Sequence, residues 1–185
     1  MARTPSTMVH LGTPCPHFDL PDPRGGTTSP AAVMGEHGLL VMFICNHCPF
    51  VIHIAEMLAE LGRTYPGRGV GVVAINSNDV PNYPGDSPEK MVEECQLRGY
   101  EFPYLYDESQ AVAKSFDAAC TPDFFLYDGE GDLVYRGQLD ASRPGSDVAV
   151  TGTDLKAAMD AMVAGEAVPT DQTPSLGCNI KWKTE

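Results

Sequence analysis

The chain is short of positive charge, has too few cysteines for a stapled scaffold, and lacks any apolar run long enough to cross a bilayer. Twelve Lys plus Arg stand against 25 Asp plus Glu, a formal net charge of −13. A surface of that sign repels phosphate backbones and anionic headgroups, so neither nucleic acid nor a membrane is an expected partner. The longest apolar run, Gly38 to Cys45, falls far below the ~20 residues of a membrane span. The opening Met1-Ala-Arg-Thr-Pro-Ser6 has no apolar signal core, and a cytoplasmic location is expected. Six cysteines in 185 residues do not make a disulfide framework, and a reducing cytosol would not keep one. Repeats and low-complexity tracts are missing too. The length and a 43% apolar share predict one domain over residues 1–185, with an extended N-terminal arm (1–35) and a C-terminal tail (166–185).

What is present reads as alternating strands and helices. The first 35 residues, rich in Pro and Gly, predict an extended arm with short strands such as His17–Leu20. Gly38–Cys45 is a continuous apolar run that ends abruptly, the pattern of a strand buried on both faces. From Pro49, residues Val51, Ile54, Ala55, Leu58 and Leu61 recur at helical spacing, predicting an amphipathic helix that stops near Gly62. Gly71–Asn76 predicts a second buried strand and 79–87 a loop. Ser87, Pro88 and Gly99 bracket a helix. Phe102–Tyr106 reads as a strand, and Asp107 with Gln110 as a capping box for a helix through about Phe116. Asp123–Asp128 and Leu133–Tyr135 predict a hairpin, Leu155, Ala158, Met159 and Met162 a last helix. In the tail, Leu176, Ile180 and Trp182 predict docking on the body. The fold class is α/β, a central mixed sheet flanked by helices.

The chemistry centres on Cys45-Asn46-His47-Cys48 at a strand-to-helix junction. Two cysteines three apart at a helix start lie one turn from each other, within reach of a reversible disulfide. The first sulfur is expected at the positive helix end, which stabilises a thiolate, so Cys45 is predicted as nucleophile and Cys48 as the resolving thiol. His47 is predicted to tune the pair by donating a hydrogen bond or charge to the Cys45 thiolate; a solvent-facing His with no such role is the alternative.

Cys45-Asn-His-Cys-Pro49, Thr121-Pro-Asp-Phe-Phe125 ahead of a hairpin, the ending Gly177-Cys-Asn-Ile-Lys-Trp182 and the opening Gly12-Thr-Pro-Cys-Pro-His-Phe-Asp-Leu20 together resemble bacterial thioredoxin-like proteins of the redoxin (alkyl hydroperoxide reductase/thiol-specific antioxidant-like) group. The resemblance covers nearly the whole chain. It implies a thioredoxin-like fold and a cis Thr121–Pro122 bond facing the cysteines, where backbone groups align an incoming peptide as an extra strand. It implies dithiol–disulfide exchange on protein disulfides, with electrons from a thiol donor and no bound cofactor or metal. This chain departs from the pattern in carrying Leu39 where thioredoxin has a buried Asp, and Val51 where the membrane-anchored reductases have a Glu. His53, Glu56 or a water is left to accept the proton of Cys48.

Among the remaining residues, Cys120 and Cys178 are candidate additional redox sulfurs, with plain packing as the alternative for each. Cys95 reads as a small buried hydrophobe and Cys15 receives no role. Asn78, Asp79, Tyr83 and Asp86 read as residues that shape the loop backbone, and His10, His17, His37 and His53 as scattered. Two rival functions share the site. A peroxiredoxin-like peroxidase would use Cys48, although Val41 and Cys45 stand where that pattern has Pro and Thr. A Cu(I) or Zn²⁺ module would use both thiolates and a histidine, with no second close ligand pair in the chain.

Overall fold

The computed structural model describes residues 3–184; Met1 and Ala2, on which the reading of the opening segment partly rests, and Glu185 at the end of the tail lie outside the described residues. In chain order the strands are β1 (Arg3–Pro5), β2 (Leu20–Pro21), β3 (Thr27–Thr28), β4 (Gly38–Phe43), β5 (Val70–Asn76), β6 (Tyr104–Tyr106), β7 (Cys120–Thr121), β8 (Asp123–Asp128), β9 (Leu133–Gly137) and β10 (Leu176–Asn179). The helices are α1 (Pro30–Val33), α2 (Pro49–His53), α3 (Ala55–Thr64), α4 (Pro88–Arg98), α5 (Ala111–Ser115) and α6 (Thr153–Val163).

A five-stranded mixed sheet runs in the order β6-β5-β4-β8-β9. β4 lies at its centre, parallel to β5 and antiparallel to β8, and all six of its residues are buried, as a strand covered on both faces requires. Its side chains alternate between two apolar layers. Leu40 and Met42 join the layer containing Leu58, Leu155 and Met159 of α3 and α6, whereas Leu39, Val41 and Phe43 face Phe18 of the arm and Phe116 beside α5. Each such side chain is worth roughly 1.5–3 kcal/mol of burial. The predicted mixed α/β sheet with helices on both faces is therefore the observed one.

Several local expectations are corrected. The strand predicted at His17–Leu20 is the two-residue β2, paired with β3. The helix after the cysteines is two helices, broken at Ile54, whose φ of −108° and ψ of 8° leave the α region. Gly62 does not stop α3, which continues to Thr64. A Cβ at Gly62 would lie 2.5 Å from Phe102 Cδ1, so the glycine admits a close ring contact instead. Asp107 caps α5 by accepting from the backbone N–H groups of Val112 and Ala113, at 3.4 and 2.9 Å, but Gln110 does not close the box. Its Nε2 donates to the carbonyls of Ser77 and Lys181, at 2.7 and 2.8 Å, and so ties the tail down. By contrast the Ser87 hydroxyl accepts from Lys90 N–H, and Gly99 ends α4 in the left-handed region at φ 71°.

The tail docks as a strand. β10 lies between β1 and β7 in a second, three-stranded sheet, antiparallel to both. Ile180 is buried beneath it and Leu176 is half-buried, while Trp182 is exposed, so it is Ile180 that anchors this end. Among the described residues no helix is long and apolar enough to cross a membrane.

Candidate active site

The end of β4 delivers the chain into the Ile44–His47 turn, and Cys48 is the N-cap of α2, with Pro49 at the first helical position. The helix begins at Pro49, as its apolar spacing predicts, but its positive end lies at Cys48, which corrects the expectation that Cys45 occupies that end. The backbone N–H groups of Val51 and Ile52 fold back on the carbonyl of Cys48, at 3.0 and 2.9 Å. The Cys48 thiol donates to the carbonyl oxygen of Thr121 at 3.2 Å, and Cys45 Sγ lies 3.4 Å from Thr121 Oγ1. The predicted Thr121–Pro122 bond is cis, and Thr121 faces both sulfurs.

The two sulfurs act on each other's ionisation in opposite directions. The Cys45 thiol donates to Cys48, which lowers the Cys48 pKa; further contacts from the Cys178 thiol, Thr121 and the Val51 N–H outweigh the cost of burial. Cys45 moves the opposite way. Giving its proton to that bond, losing solvent and facing the Asp86 carboxylate all hold it as a thiol, well above its usual range. Of the two thiols, Cys48, beside the helix end, is therefore the one that loses its proton more readily.

His47 does not hydrogen-bond the Cys45 thiolate. Its Nδ1–H donates to Asp86 Oδ2 at 2.7 Å, and its ring stacks on Tyr83 with centroids 5.7 Å apart. Asp86 is fully buried and collects two further donors, the Asn46 backbone N–H at 2.8 Å and Asn78 Nδ2 at 2.8 Å. Burial pushes the Asp86 carboxyl up, but the bonds from His47, Asn78 and Asn46 outweigh it and hold the pKa below the ordinary carboxylate value. The same bond to Asp86 raises His47. Asn46 is fixed by its own side chain as well, which donates to Gly85 O and accepts from Tyr104 OH, both at 3.0 Å. The loop residue Asp86, read from sequence as backbone shaping, is the hub that holds the turn between the cysteines. Nothing in local spacing marks it, since it reaches Asn46 and His47 across some 40 positions.

The other predicted residues are distributed as follows. Cys178 lies on β10, buried, opposite Thr121 and in hydrogen-bond contact with Cys48. Cys120 is buried, and its thiol donates to Pro122 O at 3.5 Å; burial and Asp123 keep it protonated. Leu39 and Val51 are buried among apolar neighbours, and the two candidate proton acceptors point elsewhere: His53 Nε2 bonds Ser142 Oγ at 2.7 Å and Glu56 is exposed. The edge at Thr121, expected to receive an incoming strand, is already paired with β10. Ligating atoms of Cys45, His47 and Asp86 lie within 4.8 Å of one another, yet both Asp86 oxygens are engaged in hydrogen bonds.

A conserved protein from Geobacillus kaustophilus, described as uncharacterized, has a solved structure that superposes with a TM-score of 0.98 at 49% identity, over 100% of this chain and 98% of its own. A hypothetical protein from Sinorhizobium meliloti 1021 gives 0.96 at 51% identity, over 98% and 100%. The thioredoxin domain of a thiol-disulfide oxidoreductase from Bacteroides vulgatus gives 0.59 at 17% identity, over 69% and 88%, a likeness of fold. No curated protein matches the chain. The sequence family described as AhpC/TSA matches residues 11–136, a stretch running from the arm through the cysteine pair, the cis-proline and the hairpin. By that match the chain belongs to the AhpC/TSA family, a redoxin family of thioredoxin-like fold.

Proposed function

We propose that the protein is a thiol-disulfide oxidoreductase that cycles Cys45 and Cys48 between dithiol and disulfide. One observation carries the reading: the sulfurs of Cys45 and Cys48 both meet Thr121 at a helix N-terminus, where the loss of a proton is favoured at Cys48. The Cys48 thiolate attacks a substrate disulfide, forming a mixed disulfide and expelling one substrate thiolate. Cys45 then attacks Cys48 Sγ, the second substrate sulfur leaves, and the Cys45 proton passes to the leaving group. These roles reverse those that spacing alone predicts. His47 and Asp86 act as positioning residues that fix the turn and place charge beside Cys48. Substrates in this reading are protein disulfides, the electron donor is a cellular thiol, and the reaction needs no bound cofactor.

A second reading is favoured by burial. Cys45 and Cys48 are 2% and 0% exposed, and the Thr121 edge is covered, so a small oxidant reaches Cys48 more readily than a protein does. As a peroxidase, the Cys48 thiolate would take one oxygen from a hydroperoxide, leaving an alcohol or water, and Cys45 would condense with the sulfenic acid to give the disulfide and water.

A redox titration in graded dithiothreitol and glutathione buffers, read by alkylation and peptide mass mapping, tests the first reading. A two-electron transition joining Cys45 to Cys48, with a midpoint between about −270 and −120 mV, is the expected result. A pair that stays reduced throughout that range overturns it. Stoichiometric peroxide consumption without reduction of disulfide substrates would select the second reading instead.

A further inference from the structure

The tail is docked where a substrate strand belongs. β10 adds to the edge of β7 in antiparallel register, with Cys178 opposite Thr121 and Asn179 opposite Cys120, the geometry by which an extended peptide augments a sheet. Gly177 makes the approach close, for a Cβ there would run into the Thr121 carbonyl. That carbonyl is the group that holds Cys48 Sγ at 3.2 Å. The strand thus carries a second thiol to Cys48: Cys178 is buried in the same apolar layer as Cys45 and Cys48, opposite Thr121, and interacts with Cys48. Cys48 contacts two thiols, Cys45 from the turn and Cys178 from the tail.

We propose that Cys178 is a third member of the redox centre, and that the tail acts as a built-in exchange partner by forming a Cys48–Cys178 disulfide. This rests on the exchange reading of Cys45 and Cys48. In the step, Cys178 attacks Cys48 Sγ of the Cys45–Cys48 disulfide, the new S–S bond forms, and the Cys45–Cys48 bond breaks. Cys45 leaves as the thiolate and takes up the proton Cys178 released, so the exchange is an isomerisation needing no outside oxidant or reductant. Cys120 is a poor substitute, because its thiol already donates to Pro122 O, and burial with Asp123 holds it further above the ordinary thiol range than Cys178, which is pushed up to about 11. The consequence for function is a disulfide that links the turn to β10, the neighbour of β1, with Cys45 left as a free thiol.

The test uses the full chain. C45S and C45A are equilibrated in the same graded redox buffers as wild type, alkylated and mapped, with circular dichroism reporting the fold. In both variants a two-electron couple joining Cys48 to Cys178 is expected, and wild type is expected to show that peptide as a minor species beside Cys45–Cys48. In C45S/C178S the couple disappears. The proposal is overturned if the folded variants yield no intramolecular disulfide, or pair Cys48 with Cys120; should both variants misfold, absence of the Cys48–Cys178 peptide in wild type overturns it. Failure of the underlying reading looks different: wild type would show no Cys45–Cys48 couple, whatever Cys178 does.

Discussion

Asp86 and Asp123, one in the loop after β5 and one directly after the cis-proline, are both 0% exposed. Their charge states differ. Asp86 gathers three donors and is held below the ordinary carboxylate range. Asp123 is pushed up to about 7 by burial, which the backbone N–H groups around it and Ser6 only partly offset. Its Oδ1 has no hydrogen-bond partner among the described residues. Burial acts on both in the same direction; the number and quality of donors decides which carboxyl stays ionised. The same logic separates Cys48, with several donors, from Cys120, with none.

The largest expected effect comes from removing the well-satisfied member. D86A strands the Asn46 N–H, Asn78 Nδ2 and His47 Nδ1–H, and a loss of about 3 kcal/mol in urea unfolding is expected. The His47 pKa should fall back toward 6.5 by NMR titration, because the bond that raises it is gone. In wild type the pair stabilises the fold within a window. The His47 contribution is full below about 6.5 and lost as pH rises through its raised folded value; that of Asp86 is present above about 3.9 and lost as pH falls through its lowered one. A D86A protein within 0.5 kcal/mol of wild type, a bound set at roughly the scatter of surface substitutions, would break the comparison on this side.

The poorly satisfied member gives a smaller, pH-dependent effect. With a folded pKa of about 7 against about 3.9 unfolded, Asp123 binds its proton more tightly in the fold. Its contribution is full below about pH 3.9 and is lost as pH rises through 7, at up to about 1.4 kcal/mol per pH unit between those values. D123N carries no such titration. Between pH 5 and 7 wild type should lose on the order of 2 kcal/mol relative to D123N in paired denaturant curves. Parallel curves would show that Asp123 is ionised throughout.

How far the residues announced this arrangement follows the same division. The buried run of β4, the capping of α4 by Ser87 and Gly99, the hairpin and the mixed sheet come from periodicity and local turn chemistry, which neighbouring residues settle between themselves. The cysteine pair and the Thr121–Pro122 turn were legible as motifs. What escaped depends on contacts between distant positions: Asp86 reaching back to Asn46 and His47, Gln110 holding the tail, Gly62 making room for Phe102, and β10 occupying the Thr121 edge. The helix from Pro49 was legible in its apolar spacing, whereas which sulfur would meet its positive end was not, and that end falls at Cys48.

The tail touches both sides of this comparison, and its smallest expected effect tests that link. Lys181, three residues beyond Cys178, donates to Asn179 O and Oδ1 and sets its ammonium 5.8 Å from the centroid of Tyr83, the ring that stacks on His47. A positive charge there opposes protonation of His47 and works against Asp86, which favours it. Removing the charge should therefore raise the His47 pKa further: K181A is expected to shift it upward by roughly 0.2–0.5 in low salt, a size typical of partly exposed charges about a Debye length apart or less. The backbone ties of the tail, Lys181 N–H to Asn78 Oδ1 and Asp79 N–H to Lys181 O, both 2.9 Å, do not involve the side chain and should survive the substitution. Raising the salt to about 1 M shortens the Debye length to roughly 3 Å and should bring the two proteins together. A shift that persists at high salt would point to a moved Tyr83 ring, and no shift at either salt would confine the tail's influence to Cys178 and the Asp123 side.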